Sequence, residues 1–169
     1  MPRATGAFAR ARGLDRVRLL VATAGGAGLI PKAPGTFGSL VGLALALLVP
    51  GDSRYPWIAG AIAVAASLGC IALGSWCERF FADRDPSPVV LDEVAGMLVA
   101  TLAQTRPPLH WCVVAFAMFR YFDIRKPLGI GRLQRLPGGV GILADDLAAG
   151  GAAFAVGTGG RLLAASIGT

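Results

Sequence analysis

Charge is scarce in this chain. Asp, Glu, Lys and Arg make up only 15% of its 169 residues, whereas a soluble globular domain carries about 25%. With 54% hydrophobic residues and a mean hydropathy of +0.62, intrinsic disorder is excluded. A membrane protein is the leading class, and a soluble bundle of very apolar helices is the alternative. Histidine occurs once, as His110 at the start of an apolar run, where it reads as an interfacial residue. With no His beside a Ser and no supported Cys–His pair, serine-hydrolase and cysteine-phosphatase chemistries are poorly supplied. The three cysteines, Cys70, Cys77 and Cys112, lack CxxC spacing and read as small buried hydrophobes. Walker spacing and a GxGxxG context are also absent. The 24 glycines sit largely inside apolar runs, which suits close helix packing in lipid.

The basic residues are not interleaved with aromatics, and no nucleic-acid module is present. The net charge of +6 therefore points to an anionic membrane surface or a phosphorylated substrate rather than to nucleic acid. Five apolar segments follow one another: Gly38–Pro50, Trp57–Cys77, Val89–Thr105, Leu109–Phe122 and Ile142–Gly160. Trp57–Cys77 runs 21 residues without a charge, enough for a bilayer span. The first and fourth segments are short, so one or both can be re-entrant. Pro50-Gly51, Pro56, Pro86, Pro88, Pro107-Pro108 and Pro137-Gly138-Gly139 punctuate the connectors. The expected fold is all-α: one domain over 1–169, a compact bundle of five to seven helices with several embedded in the membrane. No pattern in the chain specifies an oligomeric state. In the basic N-terminal segment Leu14, Val17, Leu20 and Val21 share one helical face, with Arg12 and Arg16 off it. That describes either a helix on the membrane surface or a surface helix that stabilises the fold.

Placing the segments alternately across a bilayer puts thirteen Lys and Arg on one side and three, Arg54, Arg106 and Arg161, on the other. The rich side is cytoplasmic by the positive-inside bias. That count ignores the acids, yet it brings the loop Lys32–Ser39, Asp92-Glu93, Arg120–Lys126 and Asp145-Asp146 to the same face.

These acids are out of place. Asp92 and Glu93 lie within VVLDEVAGMLVATLAQT, and Asp145 and Asp146 within GVGILADDLAAGGAAFAVG. A carboxylate at the centre of a membrane helix costs roughly 2.5–3.5 kcal/mol on lenient scales. Two such pairs suggest one shared site for a hard cation such as Mg²⁺, which takes one or two carboxylates plus substrate phosphate. Charges that merely balance helix dipoles are the alternative. On a helix Asp92 shares a face with Gly96, and Asp146 with Gly150, which leaves room for a neighbouring helix or a ligand. In FRYFDIRKP, Arg120, Asp123 and Lys126 recur near one helical face. Arg and Lys there suit a phosphate, and Asp123 would add a metal ligand or hold Arg120. In KAPGTFGSL, Lys32, Thr36 and Ser39 accompany a rigid turn leading into a helix, whose free amides favour an anion. The inventory suits metal-assisted phosphoryl transfer.

Taken together, PGTFGS at Pro34–Ser39, LDEVAGM at Leu91–Met97, FRYFDIRKP at Phe119–Pro127 and GGVGILADDLAAG at Gly138–Gly150 resemble the phosphatidylglycerophosphatase A family in order and spacing. The resemblance covers roughly Val21 to Val156, leaving the first twenty residues outside it. It implies a lipid phosphatase of the bacterial inner membrane, facing the cytoplasm, that converts phosphatidylglycerophosphate to phosphatidylglycerol with Mg²⁺. It also implies that Asp92, Glu93, Asp123, Asp145 and Asp146 are metal-binding or catalytic, with Asp92, Glu93, Asp145 and Asp146 holding the metal. Arg120, Lys126, Thr36 and Ser39, together with Lys32, would contact the phosphate. Two other readings use the same acids: a head-group phosphotransferase of the CDP-alcohol type, whose DG..AR pattern is absent here, and a non-enzymatic ion carrier.

Overall fold

The structure is a computed structural model that describes residues 6–103, 108–136 and 138–167. Arg3, Thr105, Arg106, Pro107 and Pro137, used in the segment and charge reading above, lie outside the described residues. Within them the chain is all-helical. The α-helices are α1 (Ala7–Arg10), α2 (Leu14–Ala22), α3 (Pro34–Leu48), α4 (Tyr55–Phe81), α5 (Leu91–Thr101), α6 (Leu109–Arg125) and α7 (Gly138–Ile167). Short 3-10 turns at Ala27–Leu29 and Pro127–Arg135 complete the path.

Proline and left-handed residues set the boundaries. Pro34 and Pro56 occupy the first turns of α3 and α4, where a missing N–H costs nothing and the ring presets φ. α4 and α6 stop at Ala82 (φ 53°) and Lys126 (φ 45°), and Pro127 prevents α6 from continuing. The PGTFGS motif is thus the first turn and a half of α3 itself, rather than a turn ahead of it.

α4 is apolar on every side. Its buried stripe, Ala59, Ala63, Ala66, Cys70, Gly74 and Cys77, is made of small residues at helical spacing. Trp57, Ile58, Val64, Leu68 and Ile71 point outward and are exposed. A helix hydrophobic all round belongs in a protein core or a membrane, and most of this one is not covered by protein. α4 and α7 are the two helices long and apolar enough to cross a membrane. By contrast, α5 is only 11 residues long, roughly 16 Å, too short to span. It is the central post: nine of its residues are buried, and it packs against α3, α4, α6 and α7. The helical part of the segment that by composition resembles a membrane span, Leu91–Thr101, is therefore enclosed by protein.

Glycines let these helices approach at backbone distance. A Cβ on Gly150 of α7 would lie 2.3 Å from the Gly96 carbonyl oxygen of α5, and one on Gly74 of α4 would lie 2.2 Å from Gly139 N of α7. A stripe of Gly38, Ser39, Gly42 and Ala46 is buried on α3, and a Cβ on Gly38 or Gly42 would run into Val90 or Met97 at α5.

Candidate active site

Asp92 and Glu93 occupy the first turn of α5. Asp146 reaches them from α7, four residues before Gly150 on the same face. The close Gly96–Gly150 crossing brings α5 and α7 together at this level; a Cβ on Gly96 would itself lie 2.6 Å from the Asp146 carbonyl. The glycine one turn from each carboxylate thus admits the neighbouring helix. One ligand oxygen from each of Asp92, Glu93 and Asp146 falls within 4.8 Å of the others.

These acids are buried without sufficient compensation. Asp92 and Asp146 are 6% and 4% exposed. Asp92 Oδ1 and Glu93 Oε2 are buried with no hydrogen-bond partner. Burial first, and then the Glu93 carboxylate, hold the Asp92 carboxyl well above the ordinary range. Burial likewise pushes Glu93 up to about 8. Three mutually close acids cannot all ionise without a counter-charge. The orphaned oxygens and hard donor set fit a divalent cation held by Asp92, Glu93 and Asp146.

Asp145 lies elsewhere. One residue earlier on α7 its side chain points differently, and its Oδ2 accepts from the Lys126 ammonium at the end of α6. Burial opposes the charge on Lys126, but Asp145 beside it raises the Lys126 pKa overall. Lys126 adopts a left-handed conformation at a helix end, a backbone state costly for a residue with a Cβ. The pair clasps α6 to α7.

Arg120 and Asp123, also on α6, form a 2.6 Å ion pair, and Asp123 approaches Asp146 closely enough to hydrogen-bond. Arg120 Nη1 also donates to Ser39 Oγ at 3.2 Å, and Ser39 Oγ donates to Gly35 O at 2.8 Å. Ser39 is fully buried, so it bonds the arginine rather than facing open space. Arg120 Nε remains buried and unpartnered, a donor with no acceptor. Thr36 is half-buried in the first turn of α3, and Lys32 is exposed ahead of that helix.

Two residues enter the site that motif reading did not single out. A Cβ at Gly35 would lie 2.4 Å from Glu93 Oε1 and 3.3 Å from Arg120 Nη1. The bare Cα therefore lets the Glu93 carboxylate and the Arg120 guanidinium close in on the first turn of α3. The signal for Gly35 was the Pro-Gly pair at a helix start. Asp85, on the loop between α4 and α5, interacts electrostatically with Asp145, Lys126 and Asp123. Its only sequence signal was an acid seven residues before Asp92.

The ends of α3, α5 and α7 that begin at the site, and the end of α6 that finishes there, place all four sequence motifs together. His110 is exposed at the start of α6. Cys70, Cys77 and Cys112 are buried.

No solved structure matches the chain. Among curated proteins, one from Bacteroides thetaiotaomicron, provisionally named a phosphatidylinositol-3-phosphatase, is 38% identical over 138 residues, covering 78% of this chain and 86% of its own length. The phosphatidylglycerophosphatase A of Haemophilus influenzae is 35% identical over 135 residues, 77% of this chain and 80% of that protein. Its counterpart from Escherichia coli is 33% identical over 135 residues, 78% of this chain and 76% of that protein. The family model described as Phosphatidylglycerophosphatase A matches residues 20–161, close to the span expected from the motifs. The chain is a phosphoric monoester hydrolase and belongs to the phosphatidylglycerophosphatase A family.

Proposed function

We propose that the chain is a Mg²⁺-dependent lipid phosphatase that hydrolyses phosphatidylglycerophosphate to phosphatidylglycerol at the cytoplasmic face of a bacterial inner membrane. The observation that carries this reading is the meeting of two buried acids and the half-buried Glu93, two of the three with unpartnered oxygens, beside an arginine with an unused donor. Relatives named phosphatidylglycerophosphatase A supply the head group. The excess of basic residues at this end of the bundle supports the cytoplasmic orientation.

The roles follow from position. Asp92, Glu93 and Asp146 would hold the cation, which when bound offsets charge on the phosphoryl oxygens. Arg120, fixed by Asp123 and Ser39, would offer its unpartnered Nε–H to a phosphoryl oxygen. A neighbouring carboxylate takes a proton from the attacking water as its oxygen bonds to phosphorus. The ester P–O bond breaks, the glycerol oxygen leaves with the proton that the carboxylate took from water, and inorganic phosphate is released. Lys126, held on Asp145, adds positive charge to the rim and keeps α6 and α7 in register.

Phosphate release from phosphatidylglycerophosphate in detergent, with phosphatidylinositol-3-phosphate and phosphatidate alongside, tests the reading. Turnover should require Mg²⁺ and be greatest with the first lipid. Undiminished activity in excess EDTA, or in Asp146→Asn, would overturn the metal assignment. Preference for the inositol lipid would reassign the substrate.

A further inference from the structure

The N-terminal segment, most of it outside the family match, has two faces that do different things. One face of α2 docks on the bundle. Leu19 and Ala22 are buried, Asp15 Oδ1 accepts from Trp76 Nε1 of α4 at 3.1 Å, and Arg18 lies over the Trp76 ring. Arg10 covers Phe80 of α4, and Val90 N at the start of α5 donates to Ala22 O. The other face is apolar and uncovered: Leu14 is 69% and Val17 58% exposed, and Leu20 and Val21 are exposed beside them.

The level of this face along α4 says what covers it. Trp57 and Trp76 are 19 residues apart on α4, about 28 Å at 1.5 Å per residue, close to the thickness of a bilayer's hydrocarbon core. Tryptophan favours the two membrane interfaces, so Trp76 marks the interface on the side of the acids. α2 is pinned to Trp76 and so lies at that level. Val64, Leu68 and Ile71 of α4 are exposed apolar residues, as is the stripe on α2. Its flanks carry Arg10, Arg12, Arg16 and Arg18 against a single acid, Asp15, a charge complementary to anionic head groups.

We propose that α2 is an interfacial anchor for an anionic leaflet. The stripe Leu14, Val17, Leu20 and Val21 inserts at the boundary between acyl chains and head groups, and the exposed Arg12 and Arg16 contact the lipid phosphates. Through the bond between Val90 and Ala22, the anchor sets the depth of α5 and its acids beneath the membrane surface.

The proposal rests on the membrane reading of α4, and the test separates the two. The full chain is reconstituted into vesicles of phosphatidylcholine with or without phosphatidylglycerol. A bimane label is placed at Leu14→Cys, Val17→Cys or Leu68→Cys, the unsubstituted chain giving the background from its buried cysteines. Lipids brominated near the head group should quench Leu14 and Val17 labels at least twofold more than aqueous iodide does. Quenching should be stronger in anionic vesicles and should lose most of that difference with Arg12→Glu. Iodide quenching at both α2 positions, or quenching by neither agent, with Leu68 still quenched by bromolipid, would overturn the anchor alone. Equal quenching in both lipid mixtures would overturn the anionic preference. A Leu68 label that bromolipid does not reach would overturn the membrane reading itself.

Discussion

Substituting Gly150 by Ala tests the geometry most directly, because the adjacent Gly151 supplies an internal control. A Cβ at Gly150 would lie 2.3 Å from the Gly96 carbonyl oxygen and 3.0 and 3.1 Å from its carbonyl carbon and Cα, all backbone atoms that cannot rotate away. Ordinary contact begins near 3.4 Å, so α7 must retreat from α5 by about 1 Å, and a closely packed interior passes on such a shift rather than absorbing it. Asp146, on the same face one turn earlier, retreats from Asp92 and Glu93 with it. Misplacement of that size costs about 100-fold in turnover, and overpacking costs about 1–3 kcal/mol of stability. Gly151 meets nothing within 4 Å of its would-be Cβ, so Gly151→Ala should keep full activity. A gain of up to about 1 kcal/mol in helix propensity is expected there. Phosphate release at saturating lipid and Mg²⁺, with thermal unfolding in the same detergent, measures both. Wild-type turnover in Gly150→Ala, or equal losses in the two variants, would refute the role assigned to the Gly96–Gly150 crossing.

Gly35→Ala places a methyl against the side-chain oxygen of Glu93 and near Arg120 rather than against backbone. It should lower activity more than tenfold while the melting temperature stays within a few degrees, as for a local repacking cost of about 1 kcal/mol; an active variant would count against the close approach at Gly35. Lys126→Met strands the buried Asp145 carboxylate and should destabilise the bundle by about 3–5 kcal/mol. Adding Asp145→Asn should restore much of that loss, and a double variant no better than the single one would count against the clasp. For the metal-free protein, Glu93 has a folded-state pKa raised from 4.5 to about 8, so the folded state keeps a proton that the unfolded chain releases. Stability from this group is full below the unfolded value and is lost as pH rises through about 8. Divalent cation, which displaces that proton, should stabilise increasingly over the same range. A melting curve flat from pH 6 to 9 without metal, or one unchanged in Glu93→Gln, would contradict this.

Much was legible before any coordinates because composition and position act alone there. Scarce charge and abundant glycine in apolar runs follow from helices that must pack closely in an apolar setting, and α4 and α7 match that expectation. The alternation of basic connectors brought the four motifs to one end without any contact information. The family resemblance rested on their order and spacing, and the matched span agrees with it.

Other features were decided only by tertiary structure. Adjacent residues on a helix point about 100° apart, so Asp145 and Asp146 need not face the same neighbour. A helix apolar on all sides gives no sign of which acid turns inward. The packing of α7 on α5 through Gly150 and Gly96 turned Asp146 toward Asp92 and Glu93, leaving Asp145 to Lys126. The burial of α5 depends on four partner helices, of which α3 and α7 are not its neighbours in the chain, so its segment resembled a membrane span until those partners were in place. Ser39 has a hydroxyl that suits a phosphate equally well in sequence; only its distance to Arg120 made it a support for the arginine. What the chain's own pattern determined was the chemistry available and the end of the bundle where it gathers. Which oxygens meet was set by backbone approaches at glycine, between segments about fifty residues apart.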